Sequence, residues 1–153
     1  MIYSVMTQEE FIEVLDKKGY SYEIEGDKIV VTDKGGVDLN SLISIPPGVE
    51  FRNGGGVYLR NLTSIPPGVE FRNGEGVYLR NLTSIPPGIA FRNSGDVSLE
   101  SITIIPNDVV FENGGHVFLK NDWFWFVKRE SNNKGIDSKR LLNAMIKQGV
   151  FER

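Results

Sequence analysis

The chain repeats a 20-residue unit through most of its length, and no gap is needed to keep the copies aligned. Internal similarity at a fixed period predicts one structural unit per copy, each stacked on the next. A first half-copy begins near Ile29, where IVVTDKGG aligns with VEFRNGGG. The recurring columns are valine (Val37, Val57, Val77, Val97, Val117), leucine (Leu39, Leu59, Leu79, Leu99, Leu119), isoleucine before proline (Ile45, Ile65, Ile85, Ile105), a second aliphatic column (Val49, Val69, Ile89, Val109), phenylalanine (Phe51, Phe71, Phe91, Phe111) and asparagine (Asn53, Asn73, Asn93, Asn113).

Each unit contains two short stretches, V-x-L and V-x-F, in which apolar residues occupy alternate positions. Alternation with a period of two predicts a strand with one buried face. The joints read IPPG and NGGG or NGEG, which are turn sequences, and they leave no room for a helix within the unit. The repeat therefore predicts a mainly β fold, a two-sided β-solenoid of about four to five coils stacked at the spacing of paired strands.

The corners of the predicted coils carry the Asn-Gly steps. Because asparagine and glycine tolerate positive φ, we expect these steps to supply it. We also expect the asparagines of successive coils to bond to one another and to satisfy turn amides that would otherwise lack partners.

The N-terminal end of the solenoid needs a cover, and the sequence predicts one. TQEEFIEVLDKKGY predicts a helix, because Thr7 and Glu10 have the spacing of a capping box and Gly19 follows two lysines as a stop. YSYEIEGDKIVV predicts a hairpin that turns at Gly26 and Asp27 and leads into the first coil.

The C-terminal end departs from the repeat at NDWFWFVKRE. These aromatic residues either close the last coil or form a partner-binding hot spot that contains Trp123 and Phe124. DSKRLLNAMIKQG then predicts a helix, which either packs back over the aromatic segment or uses its apolar face to form a homodimer or to bind a partner. Within one compact domain, the predicted parts are a helix and hairpin cap over 1–28, β-solenoid repeats over 29–126, and a loop and C-terminal helix over 127–153.

The LTSIPPGVEF element, recurring every twenty residues, resembles the short leucine-rich-like repeats of phage and bacterial β-solenoid proteins. The resemblance covers about residues 29–120, and it implies the solenoid fold together with a phage-side role. For such a protein it implies an inhibitor of a host defence complex, similar to an anti-CRISPR protein, that acts in the host cytoplasm.

The residues indicate no catalytic, metal or cofactor site. The chain has no cysteine and one histidine, His116, so neither a thiolate zinc site nor a Ser-His-Asp triad is indicated. The glycine clusters join strand to strand and lack the helix and lysine of a phosphate-binding loop. Met1 to Gln8 lacks the features of a secretory signal, and no apolar run reaches the roughly 20 residues of a membrane span. We therefore expect a cytoplasmic protein without cofactors that is not an enzyme and does not bind membranes.

The outward positions vary between copies, and function is predicted there. On the first strand of the unit, aromatic residues are followed two positions later by basic residues in three copies. Tyrosine and arginine are enriched at the centres of protein interfaces, so this patch predicts a binding surface. A tyrosine ladder that only stabilises strand stacking explains the pattern equally well. Together with the aromatic break, the predicted partner-binding residues are Tyr58, Arg60, Tyr78, Arg80, Phe118, Lys120, Trp123 and Phe124.

The second strand carries neighbouring glutamate and arginine columns, which include Glu50, Arg52, Glu70 and Arg72. We expect a salt-linked, solvated face there that contributes little stability.

The prediction for function is a non-catalytic protein-binding scaffold with a protein partner, such as a host defence complex. The first alternative is a nucleic-acid-binding solenoid. Interleaved tyrosines and arginines favour it, as do residues 117–153, which carry eight basic and four acidic side chains. The net charge of −3 opposes it. The second alternative is a structural or virion spacer protein.

Overall fold

The computed structural model describes residues 5–102, 105–106 and 108–119. Within them the protein is mainly β and forms a β-solenoid of about four turns, preceded by a helix. The predicted C-terminal helix and the aromatic segment lie outside the described residues, as do Lys120, Trp123 and Phe124.

The N-terminal helix, α1, spans Gln8–Lys18, as the sequence predicts. The Thr7 hydroxyl accepts a hydrogen bond from the Glu10 backbone N–H, and the Glu10 carboxylate accepts one from the Thr7 N–H. Both halves of the capping box are therefore present. Gly19 ends the helix in the left-handed conformation, with φ of 74°. Phe11 and Leu15 are fully buried and attach the helix to the solenoid core.

The predicted hairpin follows the helix. It consists of β1 (Tyr22–Glu25) and β2 (Lys28–Val31), which pair antiparallel around the Gly26-Asp27 turn. On its other side β2 pairs in parallel with the next coil, with Ile29 opposite Val49. The hairpin thus joins the helix to the first strand of the repeat array.

Every later strand pairs in parallel with the copy twenty residues away. The strands form a six-stranded sheet in the order β1-β2-β4-β6-β8-β10 and a five-stranded sheet in the order β11-β9-β7-β5-β3. Each coil therefore contributes one strand to each side of the solenoid. The later strands are β3 (Val37–Asp38), β4 (Val49–Phe51), β5 (Val57–Tyr58), β6 (Glu70–Phe71), β7 (Val77–Tyr78), β8 (Ala90–Phe91), β9 (Val97–Ser98), β10 (Val110–Phe111) and β11 (Val117–Phe118).

The core between the sheets consists of columns of identical side chains. Val57, Leu59 and Phe71 are fully buried, and their counterparts in the neighbouring coils are buried as well. The phenylalanine rings from Phe51 to Phe111 stack in parallel, with successive centroids 5.4, 5.2 and 5.3 Å apart. Because aromatic pairs in contact contribute about 0.5–1.5 kcal/mol beyond their burial, this column stabilises the stacking of coils.

The glycines of the two turn types have different roles. The prediction that the Asn-Gly steps supply positive φ is wrong for the described NGGG-type turns, whose glycines do not adopt it. Positive φ occurs at the glycine of IPPG instead, for example 79° at Gly48. Gly54, in an NGGG turn, is required by close approach, because a Cβ there would lie 2.1 Å from the Lys34 carbonyl oxygen.

The corner asparagines bond to backbone carbonyls, so the expectation that they bond to one another is wrong. Asn73 Nδ2 donates to the carbonyl oxygens of Gly55, Glu75 and Gly76 at 3.0, 3.2 and 3.0 Å. The first carbonyl belongs to the preceding coil and the other two to its own turn, and the other corner asparagines repeat this pattern. Their buried Oδ1 atoms accept no hydrogen bond from the described residues. Each asparagine therefore serves as a donor that satisfies turn carbonyls.

Within the described part of the chain, no helix combines the length and the apolar content that crossing a membrane requires.

The corner asparagines should be essential for stability. Replacing Asn73 with alanine removes the three hydrogen bonds that its buried amide donates, and each such bond contributes about 0.5–1.5 kcal/mol. We expect Asn73→Ala to lower the free energy of unfolding by about 2–4 kcal/mol, as measured by urea denaturation. Asn61→Ala is the matched control, because Asn61 is exposed and its amide donates to one carbonyl, that of Asn40. Equal losses in the two variants would contradict this role.

Candidate interaction surface

The outward side of the five-stranded sheet carries the predicted binding residues. Val57 and Leu59 point into the core, so the alternation of the strand directs Tyr58 and Arg60 outward. The parallel register then places Tyr78 directly beside Tyr58, since β5 and β7 pair with these residues opposite each other. We call the surface formed by Tyr58, Arg60, Tyr78 and Arg80 the tyrosine face.

The two tyrosines form a stacked pair. Their ring centroids lie 4.9 Å apart, and the ring planes differ by 6°. The Arg60 guanidinium lies 5.7 Å from the Tyr58 ring centroid and 6.0 Å from that of Tyr78. At these distances a guanidinium interacts favourably with the ring faces. Arg60 is therefore held over both rings.

Gly56 and Gly76 allow the tyrosine rings to lie against the preceding turn. A Cβ on Gly76 would lie 2.6 Å from the Tyr78 hydroxyl oxygen, and a Cβ on Gly56 would lie 3.1 Å from the same atom of Tyr58. These glycines are positioning residues for the tyrosines, and the sequence analysis missed them. The signal that could have identified them is a joint change in the next coil, where Asp96 and Ser98 replace glycine and tyrosine.

The tyrosine face ends at the fourth coil. Arg80 Nε lies 3.9 Å from Glu100 Oε2, and the Arg80 side chain is 70% exposed. Glu100 also accepts a hydrogen bond of 2.6 Å from the Ser98 hydroxyl. Phe118 lies one coil further, where its ring meets the edge of His116 at 5.8 Å. The structure thus brings Tyr58, Arg60, Tyr78 and Arg80 together and separates Phe118 from them by Ser98, while the predictions for Lys120, Trp123 and Phe124 concern residues outside the described ranges.

Tyr20, between the N-terminal helix and the hairpin, covers part of the edge strand β3 of this sheet. The Asp38 backbone N–H, on the edge strand β3, donates a 2.9 Å hydrogen bond to the Tyr20 hydroxyl oxygen. An unpaired edge amide is a site for unwanted strand pairing, so this bond protects the edge.

The opposite side, formed by the six-stranded sheet, has its described arginines paired with carboxylates. Arg52 pairs with Glu50 and, at 3.0 Å, with Glu25. Arg72 and Arg92 pair through Nε with Glu70 and Glu112 at 3.4 and 3.1 Å. We call this surface the ion-pair face. Its salt links agree with the expectation from the sequence.

Glu50 does not fit the expectation of a solvated face, because only 1% of this residue is exposed. Lys28 Nζ lies 3.4 Å from its carboxylate, and Arg52 bonds to its other oxygen. Burial is the largest single influence on the pKa of Glu50 and acts to raise it. The hydrogen bond and charge of Arg52, together with hydrogen bonds to Glu70 and Lys28, outweigh burial, so this pKa lies below the ordinary value of 4.5. The same pairing raises the pKa of Arg52. The carboxylate therefore stays ionised although it is buried.

The pKa of Tyr78 is raised above its ordinary value of 10.0. Burial is the largest cause, followed by the negative charge that Tyr58 would carry when ionised and by Asp96 and Glu75. Arg60 opposes the shift but does not reverse it. The hydroxyl of Tyr78 is thus a neutral hydrogen-bonding group at physiological pH.

No group of three or more histidine, aspartate or glutamate side chains in residues 5–102, 105–106 and 108–119 is arranged to hold a metal ion. A groove of about 620 Å³ follows α1, and its lining includes Met6, Val14 and Lys17 together with acidic side chains. The tyrosine face offers aromatic rings and a guanidinium group for contact with another molecule.

Comparison of the chain with protein-family models, with curated proteins and with solved structures finds no match. The parallel strand pairs between copies twenty residues apart show that the protein is a β-solenoid built from 20-residue repeats. The resemblance to phage and bacterial repeat proteins stays a prediction.

The dependence of Tyr78 on Gly76 can be measured with a double-mutant cycle. Gly76→Ala should lower the free energy of unfolding by about 1–3 kcal/mol, because the new Cβ displaces the Tyr78 ring. In a Tyr78→Ser background, which reproduces the Ser98 coil, the same change should cost less than about 0.5 kcal/mol. Urea denaturation of the four proteins gives the coupling. Equal costs in both backgrounds would show that the ring is not what glycine accommodates.

The buried Glu50 carboxylate predicts acid sensitivity. Because its folded-state pKa is depressed, its stabilising contribution is present above about pH 4.5 and is lost as pH falls through the folded pKa. Glu50→Gln should cost about 1–2 kcal/mol at pH 7, less than a fully buried pair, since Lys28 and Arg52 are each 43% exposed. This cost should shrink below pH 4.5.

Urea denaturation between pH 3 and pH 7 tests this expectation, with Glu112→Gln on the same face as the control for charge removal. A cost for Glu50→Gln that is independent of pH would contradict a depressed pKa.

Proposed function

We propose that this protein is a non-catalytic protein-binding scaffold and that the tyrosine face contacts its protein partner. The observation that carries the proposal is the difference between the two sides of the solenoid. On the ion-pair face, Arg52, Arg72 and Arg92 each pair with a carboxylate. On the tyrosine face, Arg60 forms no ion pair with any described residue, and Arg80 lies at the long distance of 3.9 Å from Glu100. Because Arg60 is exposed, its donors are accessible to a partner.

The composition of the face supports a protein partner. Tyrosine and arginine are enriched among residues that dominate binding energy at protein interfaces. Tyr58 and Tyr78 are half-buried and stacked, so they present fixed side chains. Because little side-chain freedom remains to be lost, binding to such a surface has a small ordering cost.

The finer prediction concerns the partner's identity. An inhibitor of a host defence complex, encoded by a phage or mobile element and acting in the cytoplasm, is supported by the resemblance of the repeat. The tyrosine face is compatible with that role, since inhibition by steric occlusion needs a binding surface and no catalytic residues.

Nucleic-acid binding is the second candidate, because tyrosines and an arginine share one face. Stacking on bases requires free ring faces, however, and each ring covers one face of the other. Asp38 precedes the tyrosines in the same column, and Glu100 follows the arginines in theirs. These carboxylates repel phosphates, so the protein partner is the better supported proposal.

Affinity capture tests the proposal. Wild-type protein immobilised on beads should retain a partner from a lysate of its host cell, identified by mass spectrometry. The variant Tyr58→Ala, Arg60→Ala, Tyr78→Ala, Arg80→Ala should lose at least about 90% of it, as expected when several central interface residues are truncated. Arg72→Ala with Arg92→Ala, on the opposite face, is the control and should retain it. Retention by the first variant would show that the tyrosine face is not the site.

A further inference from the structure

The Arg60 guanidinium is an exposed cation on the tyrosine face that has no carboxylate partner among the described residues. Guanidinium carries five N–H donors, and none of those of Arg60 donates to an acceptor in the described residues. Its position over the rings of Tyr58 and Tyr78 fixes it near the surface. A guanidinium that is fixed and has unused donors favours a planar anion that accepts two parallel hydrogen bonds, which is the geometry of a carboxylate.

Arg80 adds a second, weaker donor group one coil away. The registers of β5 and β7 set the two arginines at the spacing of adjacent strands, about 4.8 Å between backbones. The Arg80 side chain is 70% exposed, and its contact with Glu100 is a long one of 3.9 Å. A carboxylate from a partner has to compete with Glu100 for Arg80. Glu100 also accepts a hydrogen bond from Ser98, which holds it in place. We therefore expect Arg60 to be the stronger anchor.

The acidic neighbours limit the length of the anion. Along the solenoid axis, the arginine column contains Asn40 before Arg60 and Glu100 after Arg80. The adjacent column contains Asp38 on one side, and Asp96 lies near Tyr78 on the other. The favourable region is thus two coils wide, or roughly 10 Å by the spacing of strands. A continuous polyanion would extend over the flanking carboxylates, whereas two discrete carboxylates would not.

Resting on the proposed function, we propose that the tyrosine face recognises a pair of neighbouring carboxylates on its protein partner. One carboxylate binds Arg60 and the other binds Arg80, with the hydroxyls of Tyr58 and Tyr78 beside them. The partner surface is therefore acidic over a short region, and it matches the solenoid by charge.

A peptide titration followed by NMR tests this inference without the natural partner. The probe is the capped peptide Gly-Glu-Gly-Glu-Gly, whose two carboxylates lie on one side of an extended chain. In ¹⁵N-labelled protein, it should shift the Nε–H signals of Arg60 and Arg80 in the millimolar range. The neutral peptide Gly-Gln-Gly-Gln-Gly should not shift them. Absent shifts, or equal shifts with both peptides, would overturn the inference.

Variants assign the binding to the tyrosine face. Arg60→Ala should weaken peptide binding by at least about 10-fold, as loss of a charge-assisted hydrogen bond implies, and Arg80→Ala by less. Arg72→Ala with Arg92→Ala should leave it within about 2-fold, because exposed pairs on the opposite face contribute little. An effect confined to the control pair would overturn the inference, as would tighter binding of an oligothymidylate at the same arginines. Unchanged backbone spectra show that each variant is folded.

The titration and the capture experiment fail independently. A partner captured through the tyrosine face, with no response to the dicarboxylate peptide, would overturn the carboxylate inference alone. If the quadruple alanine variant still captured every partner, the proposed function would be wrong. A peptide response at Arg60 would then show carboxylate binding without a role in capturing the partner.

Discussion

The parallel pairing of each strand with its copy twenty residues away is the interaction on which the rest of the molecule depends. It superimposes equivalent positions, so each inward column must hold side chains of one size. It brings the turns of successive coils close enough that Gly54 has no space for a Cβ. It also places turn carbonyls of two neighbouring coils within reach of one asparagine amide, as at Asn73. Core, corners and sheets therefore follow from a single register.

The same register has opposite effects on the two outer surfaces. On the ion-pair face, adjacent acidic and basic positions allow each described arginine to find a carboxylate, and even the buried Glu50 is neutralised by Lys28 and Arg52. On the tyrosine face, the register stacks Tyr58 on Tyr78 and holds Arg60 above them. No acid of the described residues pairs with Arg60, so one surface is electrostatically complete and the other retains donors for a partner.

Much of the fold could be predicted from the sequence, because the features concerned depend on short-range patterns. The period of two gives the strands, Thr7 and Glu10 give the helix start, and the offset of twenty gives the pairing of Tyr58 with Tyr78. Features that depend on contacts between coils could not be predicted in this way. The close approach at Gly54, the donor role of Asn73 and the burial of Glu50 all require the distance between neighbouring backbones. Phe118 is separated from the tyrosines because Ser98 stands between them in the column, and the sequence analysis grouped the aromatic residues without considering this position.

The support that Gly76 gives to Tyr78 has a consequence for how this surface can change. At Tyr58 and Tyr78 the ring lies over a glycine two residues earlier, whereas the next coil combines Asp96 with the small Ser98. In the coil of Phe118 the residue two positions earlier is His116, and the two rings meet edge to face. The outward residues are therefore not independent choices. A library that randomised position 98 alone would place every new ring against Asp96, whereas joint randomisation of positions 96 and 98 would also include the glycine and histidine combinations of the other coils. The unit of variation on this face is a pair of positions.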